Sequence, residues 1–60
     1  MTESLPNDKM MLLSVINTKL RDKYSDLDAL CEDLGVSKAE ITEALASIDY
    51  HYDPKLNRFG

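Results

Sequence analysis

The fold is decided by residues 30–45, which read LCEDLGVSKAEITEAL. Gly35 separates two amphipathic runs, and glycine enters the left-handed conformation that ends a helix at little steric cost. Ser37 and Glu40 have the spacing of a capping box, in which both side chains satisfy free amides at the start of a helix. Cys31 is small enough for the closest approach of two helices. The stretch therefore predicts a helix-turn-helix.

Two helices extend outward from this stretch. We expect helix 2 over about residues 26–34, with Ser25 as its cap, and helix 3 over about residues 38–48. Apolar residues at helical spacing give each helix one face that can be buried. These residues are Leu27, Leu30, Cys31 and Leu34 in helix 2, and Ile41, Ala44, Leu45 and Ile48 in helix 3.

Ahead of these two helices, residues 8–23 contain neither glycine nor proline and predict helix 1. One apolar stripe along it consists of Leu12, Leu13, Ile16, Leu20 and Tyr24. Met11 and Val15 lie on a different side of the helix, and Met10 widens the apolar arc. A surface helix of a monomer usually needs only one stripe. We therefore expect helix 1 to be central in the fold or shared with a second chain through Met10, Met11 and Val15.

The C-terminal segment, residues 50–59, predicts a short β-hairpin in which Tyr50–Tyr52 pairs with Arg58–Phe59. Between these strands, Asp53-Pro54 is typical of the start of a turn. The aromatic side chains of the hairpin would close one end of the core. The expected fold is thus mainly α, with three helices, a helix-turn-helix and a short C-terminal β-hairpin in one domain over residues 1–60. This layout is similar to a reduced winged helix.

Composition and charge narrow the classes of protein to consider. The chain is 43% hydrophobic and 30% charged, which is too apolar for a disordered chain. The single cysteine cannot form an internal disulfide and suits a reducing compartment. The N-terminus has no basic region ahead of an apolar run, and no apolar stretch approaches the roughly 20 residues that span a bilayer. We therefore expect a cytoplasmic protein that does not enter a membrane.

The residues that carry chemistry are few and scattered. His51 is the only histidine, and Cys31 is the only cysteine, so no metal shell can be completed from this pattern. Cys31 stands at the small-residue position between two helices, where we expect it to be buried and inert. No glycine-rich phosphate loop is present. The sequence thus predicts a protein that is not an enzyme, with no cofactor, no metal and no small-molecule substrate.

A helix-turn-helix also suggests DNA binding, and this alternative has specific candidate residues. Helix 3 would enter the major groove, and the hairpin would approach the phosphates. Glu40 and Glu43 lie on the face that would meet DNA, and the net charge of −4 repels the phosphate backbone. We favour the interpretation that the unit is a compact way to fold three helices. The candidate DNA contacts are Lys38, Thr42, Ser47, Lys55 and Arg58.

A pattern of short stretches runs through nearly the whole chain. The stretches are Leu5-Pro6-Asn7-Asp8, Met10-Met11-Leu12-Leu13-Ser14, Asn17, Leu20-Arg21-Asp22, Tyr24, Leu27-Asp28, Leu30-Cys31, Tyr50, Tyr52-Asp53 and Asn57-Arg58-Phe59. In this pattern the chain resembles a family of small bacterial proteins of about this length, known only as a domain of unknown function. Lys9 stands where we would expect proline, and Asp49 where we would expect glycine at the end of helix 3. The resemblance implies a free-standing small domain and no particular activity or site.

Two functional hypotheses follow from the sequence. The first is a non-catalytic interaction domain that binds a protein partner or a second copy of itself through helix 1. The second is a helix-turn-helix transcriptional regulator that binds DNA through helix 3 and the hairpin. The exposure of the extra apolar residues on helix 1 and the distribution of cations distinguish the two.

Overall fold

Three helices followed by a two-stranded hairpin make up the computed structural model, which describes residues 6–60. This confirms the predicted mainly α class and the C-terminal hairpin. Leu5 of the family pattern, and the start of the predicted domain, lie outside the described residues. The elements are α1 (Lys9–Asp22), α2 (Leu27–Leu34), α3 (Lys38–Ala46), β1 (Tyr52–Asp53) and β2 (Arg58–Phe59).

The first helix begins where the sequence offers an acidic cap. The Asp8 carboxylate accepts hydrogen bonds from the backbone amides of Met10, at 2.9 Å, and of Met11, at 3.2 Å. These are two of the amides that no helical carbonyl can reach. Four residues of the predicted apolar stripe are buried in the core: Leu12, Leu13, Ile16 and Leu20.

The cap of α2 differs from the prediction. Asp26, not Ser25, is the N-cap, and its carboxylate accepts from the backbone amide of Ala29 at 2.7 Å. A carboxylate at this position also interacts favourably with the positive end of the helix dipole, which a serine hydroxyl does less strongly. At the start of α3, one of the two bonds of the predicted capping box is present: Ser37 accepts from the amide of Glu40 at 3.3 Å.

Gly35 makes the turn between α2 and α3 as the sequence predicts. Its φ is 68°, in the left-handed region. The amide of Gly35 donates to the carbonyl of Glu32 at 3.3 Å, and the amide of Val36 donates to the carbonyl of Cys31 at 3.0 Å. This pair of bonds is a Schellman motif, which satisfies the last carbonyls of the helix.

The same motif ends α3, although no glycine is available there. The helix stops at Ala46, two residues before the predicted end, because the amide of Ile48 bonds to the carbonyl of Leu45 in a tighter turn. Asp49 then adopts a φ of 66°, and the amide of Tyr50 reaches back to Leu45 at 2.9 Å. The aspartate at the position where the family pattern suggests glycine therefore still adopts the left-handed conformation.

The hairpin is shorter than predicted at its first strand. Tyr52 pairs with Phe59 and Asp53 with Arg58 in an antiparallel register. Tyr50 was expected in this strand, but its amide is already bonded to the end of α3, so pairing starts later. The Asp53 carboxylate accepts from the amide of Lys55 at 2.9 Å and thereby stabilises the turn.

Two asparagine side chains attach the hairpin to α1. The Asn17 amide group exchanges two hydrogen bonds with the backbone of Phe59, at 2.8 and 3.1 Å, much as a neighbouring strand would. Asn57 donates to the carbonyls of Leu20, at 3.0 Å, and Tyr24, at 2.9 Å, which lie at the end of α1. The position of the hairpin relative to α1 is therefore fixed by directed bonds as well as by apolar packing.

The core forms where the three helices and the hairpin meet. Phe59 brings the hairpin into it, with only 2% of its surface exposed. Tyr52 contacts the Phe59 ring at a centroid distance of 5.5 Å. Within residues 6–60, no helix is long and apolar enough to span a membrane. The buried hydrophobic residues are Leu12, Leu13, Ile16, Leu20, Leu27, Leu30, Cys31, Leu34, Ile41, Leu45 and Phe59.

Candidate interaction surface

The extra apolar residues of α1 remain largely outside the core. Met10 is 55% exposed and Met11 is 60% exposed, whereas Val15 is half-buried. Successive residues of a helix are rotated by roughly 100°. Met10 and Met11 therefore point to different surfaces of α1, while Met11 and Val15, four residues apart, share one. We call this second surface the Met11–Val15 face.

Met10 lies at the edge of a groove between α1 and the hairpin turn, with a volume of about 760 Å³. On the opposite wall stands Leu56, which is 59% exposed. The sequence gives no signal for Leu56, because a single apolar residue in a turn shows no periodicity. Side chains that line this α1–hairpin groove include Met10, Ser14, Thr18 and Arg21 from α1, and Leu56 and Arg58 from the hairpin.

The lining of the α1–hairpin groove is positively charged. It contains two arginines, Arg21 and Arg58, and no acidic residue. The Arg21 guanidinium forms two hydrogen bonds with Asp22, at 2.9 and 3.2 Å, outside the lining. The same hydrogen bonds lower the pKa of Asp22 below its usual value. Because both side chains of this pair are exposed to solvent, the pair contributes little to stability.

The candidate DNA contacts on α3 are engaged in bonds within the protein or partly covered. Lys38 forms an ion pair with Asp28 at 2.8 Å, and its hydrogen bond to this carboxylate raises the pKa of the Lys38 ammonium. The Ser47 hydroxyl accepts from the ammonium of Lys9 at 2.7 Å. Thr42 is half-buried. These residues do not form a free cationic surface on α3.

The two hairpin candidates lie on a different part of the molecule. Arg58 lines the α1–hairpin groove, whose walls contain no residue of α3. Lys55 is exposed in the hairpin turn. The structure therefore brings Arg58 together with Met10, Arg21 and Leu56, rather than with the α3 residues that the DNA-binding hypothesis requires.

Charge is divided unequally between two parts of the described chain. The α1–hairpin half, residues 6–24 and 50–60, carries six cations against three carboxylates, which is a net charge of +3. The α2–α3 half, residues 25–49, carries one cation against seven carboxylates, which is −6. The protein is thus acidic overall, but its α1–hairpin half has a net positive charge. The same half contains all three exposed large hydrophobic residues found within residues 6–60.

The only cysteine and the only histidine of the described residues have different surroundings. Cys31 is a buried free thiol. Burial raises its pKa, and the nearby Asp28 carboxylate adds to the shift, so the thiol stays protonated at neutral pH. His51 is exposed on the hairpin. Residues 6–60 contain no cluster of three or more histidine, cysteine or acidic side chains that could hold a metal ion.

These features define a small, mainly α domain with a C-terminal hairpin and an exposed apolar and cationic groove. A family model described as Domain of unknown function (DUF4250) matches residues 6–59, and the chain belongs to this family. This confirms the resemblance to a domain of unknown function that the sequence pattern indicated. No curated protein and no solved structure matches the chain.

Proposed function

We propose that this protein is a non-catalytic protein–protein interaction domain that self-associates through α1. The exposure of Met11 carries the proposal: 60% of its surface is accessible on a helix whose core stripe is already complete. Met10, at 55%, is also exposed in the first turn of α1, but it points to a different surface and is not part of the Met11–Val15 face. Methionine side chains are flexible and adapt to the surface of a partner, which makes them common at binding surfaces.

A second copy is the partner that the Met11–Val15 face fits best. In a two-fold dimer the same face of each α1 would pack against its equivalent. The face is narrow, with Met11 as its most exposed apolar residue, so the buried area falls near or below the roughly 1,200 Å² lower limit of stable interfaces. We therefore expect a weak, concentration-dependent dimer.

The proposal of a non-catalytic role in the cytoplasm has its own support. The single cysteine, Cys31, is buried and has a raised pKa, which is opposite to the lowered pKa of an activated thiol. A free cysteine also suits the reducing cytoplasm. The proposed binding uses the exposed apolar side chains of α1 and does not need a reactive group.

Sedimentation equilibrium over a concentration series from micromolar to millimolar tests self-association. The wild type is expected to shift from monomer to dimer, and Met11→Glu to raise the dissociation constant at least tenfold, because it places a charge on the Met11–Val15 face. Leu56→Glu is the matched control, since Leu56 is equally exposed but lies on the hairpin. A wild type that stays monomeric at the highest concentration contradicts the proposal.

The DNA-binding alternative has weaker support. Lys38 is paired with Asp28, and the α2–α3 half carries a net charge of −6. A titration with random-sequence duplex at low salt, where attraction to phosphates is strongest, tests it. Binding that is lost in Lys38→Glu would favour DNA recognition by α3 over the interaction proposal.

A further inference from the structure

We propose that the α1–hairpin groove binds a short segment of a partner protein in which carboxylates lie between apolar side chains. This inference rests on the proposed role as an interaction domain. It concerns a different surface, however, because the Met11–Val15 face lies outside the groove. One chain can therefore hold a second copy on one side of α1 and an acidic segment of another protein on the other.

The apolar positions lie towards the two ends of the groove. Met10 is in the first turn of α1. Asn57 is bonded to the carbonyls of Leu20 and Tyr24, which places the neighbouring Leu56 towards the opposite end of the helix. Ten residues of helix between Met10 and Leu20 span about 15 Å. This length accommodates roughly five residues of an extended chain.

Arg58 lies between these two ends of the groove, closer to Leu56 than to Met10. The backbone of Arg58 is flanked by Asn57, bonded to Leu20, and by Phe59, bonded to Asn17, so it runs beside this part of α1. Within residues 6–60 the Arg58 side chain has no hydrogen bond or ion pair. Its guanidinium is therefore available to a carboxylate, which arginine can bind through two parallel hydrogen bonds. Arg21 lies in the same lining, but its guanidinium is bonded to Asp22, so it contributes less positive charge to the groove than Arg58 does.

Charge selects an acidic partner over a second copy in this groove. Two-fold pairing of the groove with itself would bring Arg21 and Arg58 close to the same arginines of the other copy. Like charges in contact oppose such pairing. An acidic segment instead meets a lining with two arginines and no carboxylate, in a half of the protein with net charge +3.

The groove is also better suited to a peptide than to nucleic acid. Two arginines would neutralise only about two phosphates, whereas tight binding of duplexes commonly uses six to ten phosphate contacts. Met10 and Leu56, both more than half exposed, offer apolar contacts that a phosphate backbone cannot use. The −6 charge of the α2–α3 half would further repel a long polyanion.

Selection of a phage-displayed library of random dodecapeptides on the full-length chain tests the inference. We expect enriched peptides to contain aspartate or glutamate flanked by leucine, isoleucine, phenylalanine or methionine. Enrichment of peptides without acidic residues, or no enrichment at all, would overturn it.

Fluorescence anisotropy with one enriched peptide then locates the binding site. Arg58→Glu is expected to weaken binding at least tenfold and Leu56→Ser about fivefold, while the control Lys55→Glu, at an exposed cation of the same hairpin outside the groove lining, leaves it nearly unchanged. All three side chains are exposed, so the variants should keep the fold, which far-UV circular dichroism verifies. Binding that is insensitive to Arg58→Glu, or a peptide displaced by random duplex DNA at equal concentration, contradicts the inference.

The two proposals can fail separately. A monomer that still binds acidic peptides disproves self-association and leaves the groove assignment intact. A dimer that binds no acidic peptide does the reverse, and sedimentation and anisotropy on the same samples distinguish these results.

Discussion

The α2–α3 half and the α1–hairpin half are stabilised in different ways. In the α2–α3 half, the caps and turns join residues that are close in sequence. The Asp26 carboxylate accepts from an amide three residues later, and the Gly35 amide donates to a carbonyl three residues earlier. The α1–hairpin half depends on Asn17 and Asn57, whose bonds reach residues 42 and 37 positions away. The α2–α3 half thus depends on hydrogen bonds between residues close in sequence, whereas the α1–hairpin half depends on hydrogen bonds between residues far apart in sequence.

The two halves also differ in the charge and the apolar exposure of their surfaces. The α2–α3 half is strongly acidic, and its large apolar side chains face the core or are partly covered by it. The α1–hairpin half is cationic and exposes Met10, Met11 and Leu56. The half that depends on long-range contacts therefore also presents the candidate binding surfaces. It follows that changes in hairpin docking should alter binding as well as stability.

The largest effect is expected from Phe59→Ala, which removes the hairpin's buried anchor. Replacing a buried phenylalanine by alanine costs about 3–5 kcal/mol. A 60-residue domain has a free energy of unfolding of about 3–9 kcal/mol, so much or all of it would be lost. Urea denaturation followed by far-UV circular dichroism measures the change. Leu56→Ala, on the same hairpin but exposed, should change stability by less than about 0.5 kcal/mol. A loss below about 1 kcal/mol for Phe59→Ala would show that the hairpin is peripheral to the fold.

Asn57→Ala should have the next largest effect. It leaves the carbonyls of Leu20 and Tyr24 without their donor and removes the acceptor of the Tyr52 hydroxyl. We expect a loss of about 2 kcal/mol in the free energy of unfolding, from the lost hydrogen bonds and from the steric cost of alanine at the φ of 53° that Asn57 adopts. Faster hydrogen exchange at the Phe59 amide would show that the hairpin detaches. Asn7→Ala, at an exposed asparagine, is the control; equal effects of the two variants would refute this role of Asn57.

The cap of α2 gives an intermediate effect and tests the correction to the sequence prediction. Asp26→Ala should lower the free energy of unfolding by about 1 kcal/mol, because the Ala29 amide loses its acceptor. Ser25→Ala should leave it nearly unchanged. Thermal denaturation of both variants checks this, and the opposite ranking would restore Ser25 as the cap.

The smallest change in the free energy of unfolding is expected at the residues with positive φ that follow α2 and α3, Gly35 and Asp49. Asp49→Gly should raise the free energy of unfolding by about 0.5 kcal/mol, since glycine relieves the steric cost of positive φ but loses more backbone entropy. Gly35→Ala should lower it by about 1 kcal/mol from positive φ alone, because a Cβ there meets no atom within 4 Å. Urea denaturation of both variants measures these changes. A destabilised Asp49→Gly would mean that the aspartate side chain stabilises this turn.

Much of the α2–α3 half could be predicted because its signals are local. Gly35 and Ser37 act on backbone groups within a few residues, so the sequence alone identifies them. The wrong prediction of Ser25 as the cap also concerns a local choice. Ser25 and Asp26 can both form a cap, and only the backbone conformation decides which side chain accepts the hydrogen bond from the Ala29 amide.

The α1–hairpin groove could be predicted only in part. An excess of apolar residues on helix 1 indicates that this helix is either central in the fold or shared with a second chain, and Met10 and Met11 are candidates for the shared surface. Leu56 and Arg58 join Met10 only after Asn57 and Asn17 dock the hairpin. No spacing rule encodes a side-chain bond between residues 42 positions apart, so this part of the site required the structure.

The bond between Asn17 and the Phe59 backbone also has a consequence for the order of events in folding. During synthesis, residue 17 emerges long before residue 59, so the groove cannot form until the hairpin residues that bond to α1 have been made. Contacts between distant residues generally form later than local ones. We expect pulse-labelled hydrogen exchange during refolding to show protection in α2 and α3 before the Phe59 amide is protected. Simultaneous protection would indicate a single concerted step. In either case the groove forms only after the hairpin has docked on α1, and binding of a partner segment in it must follow that step.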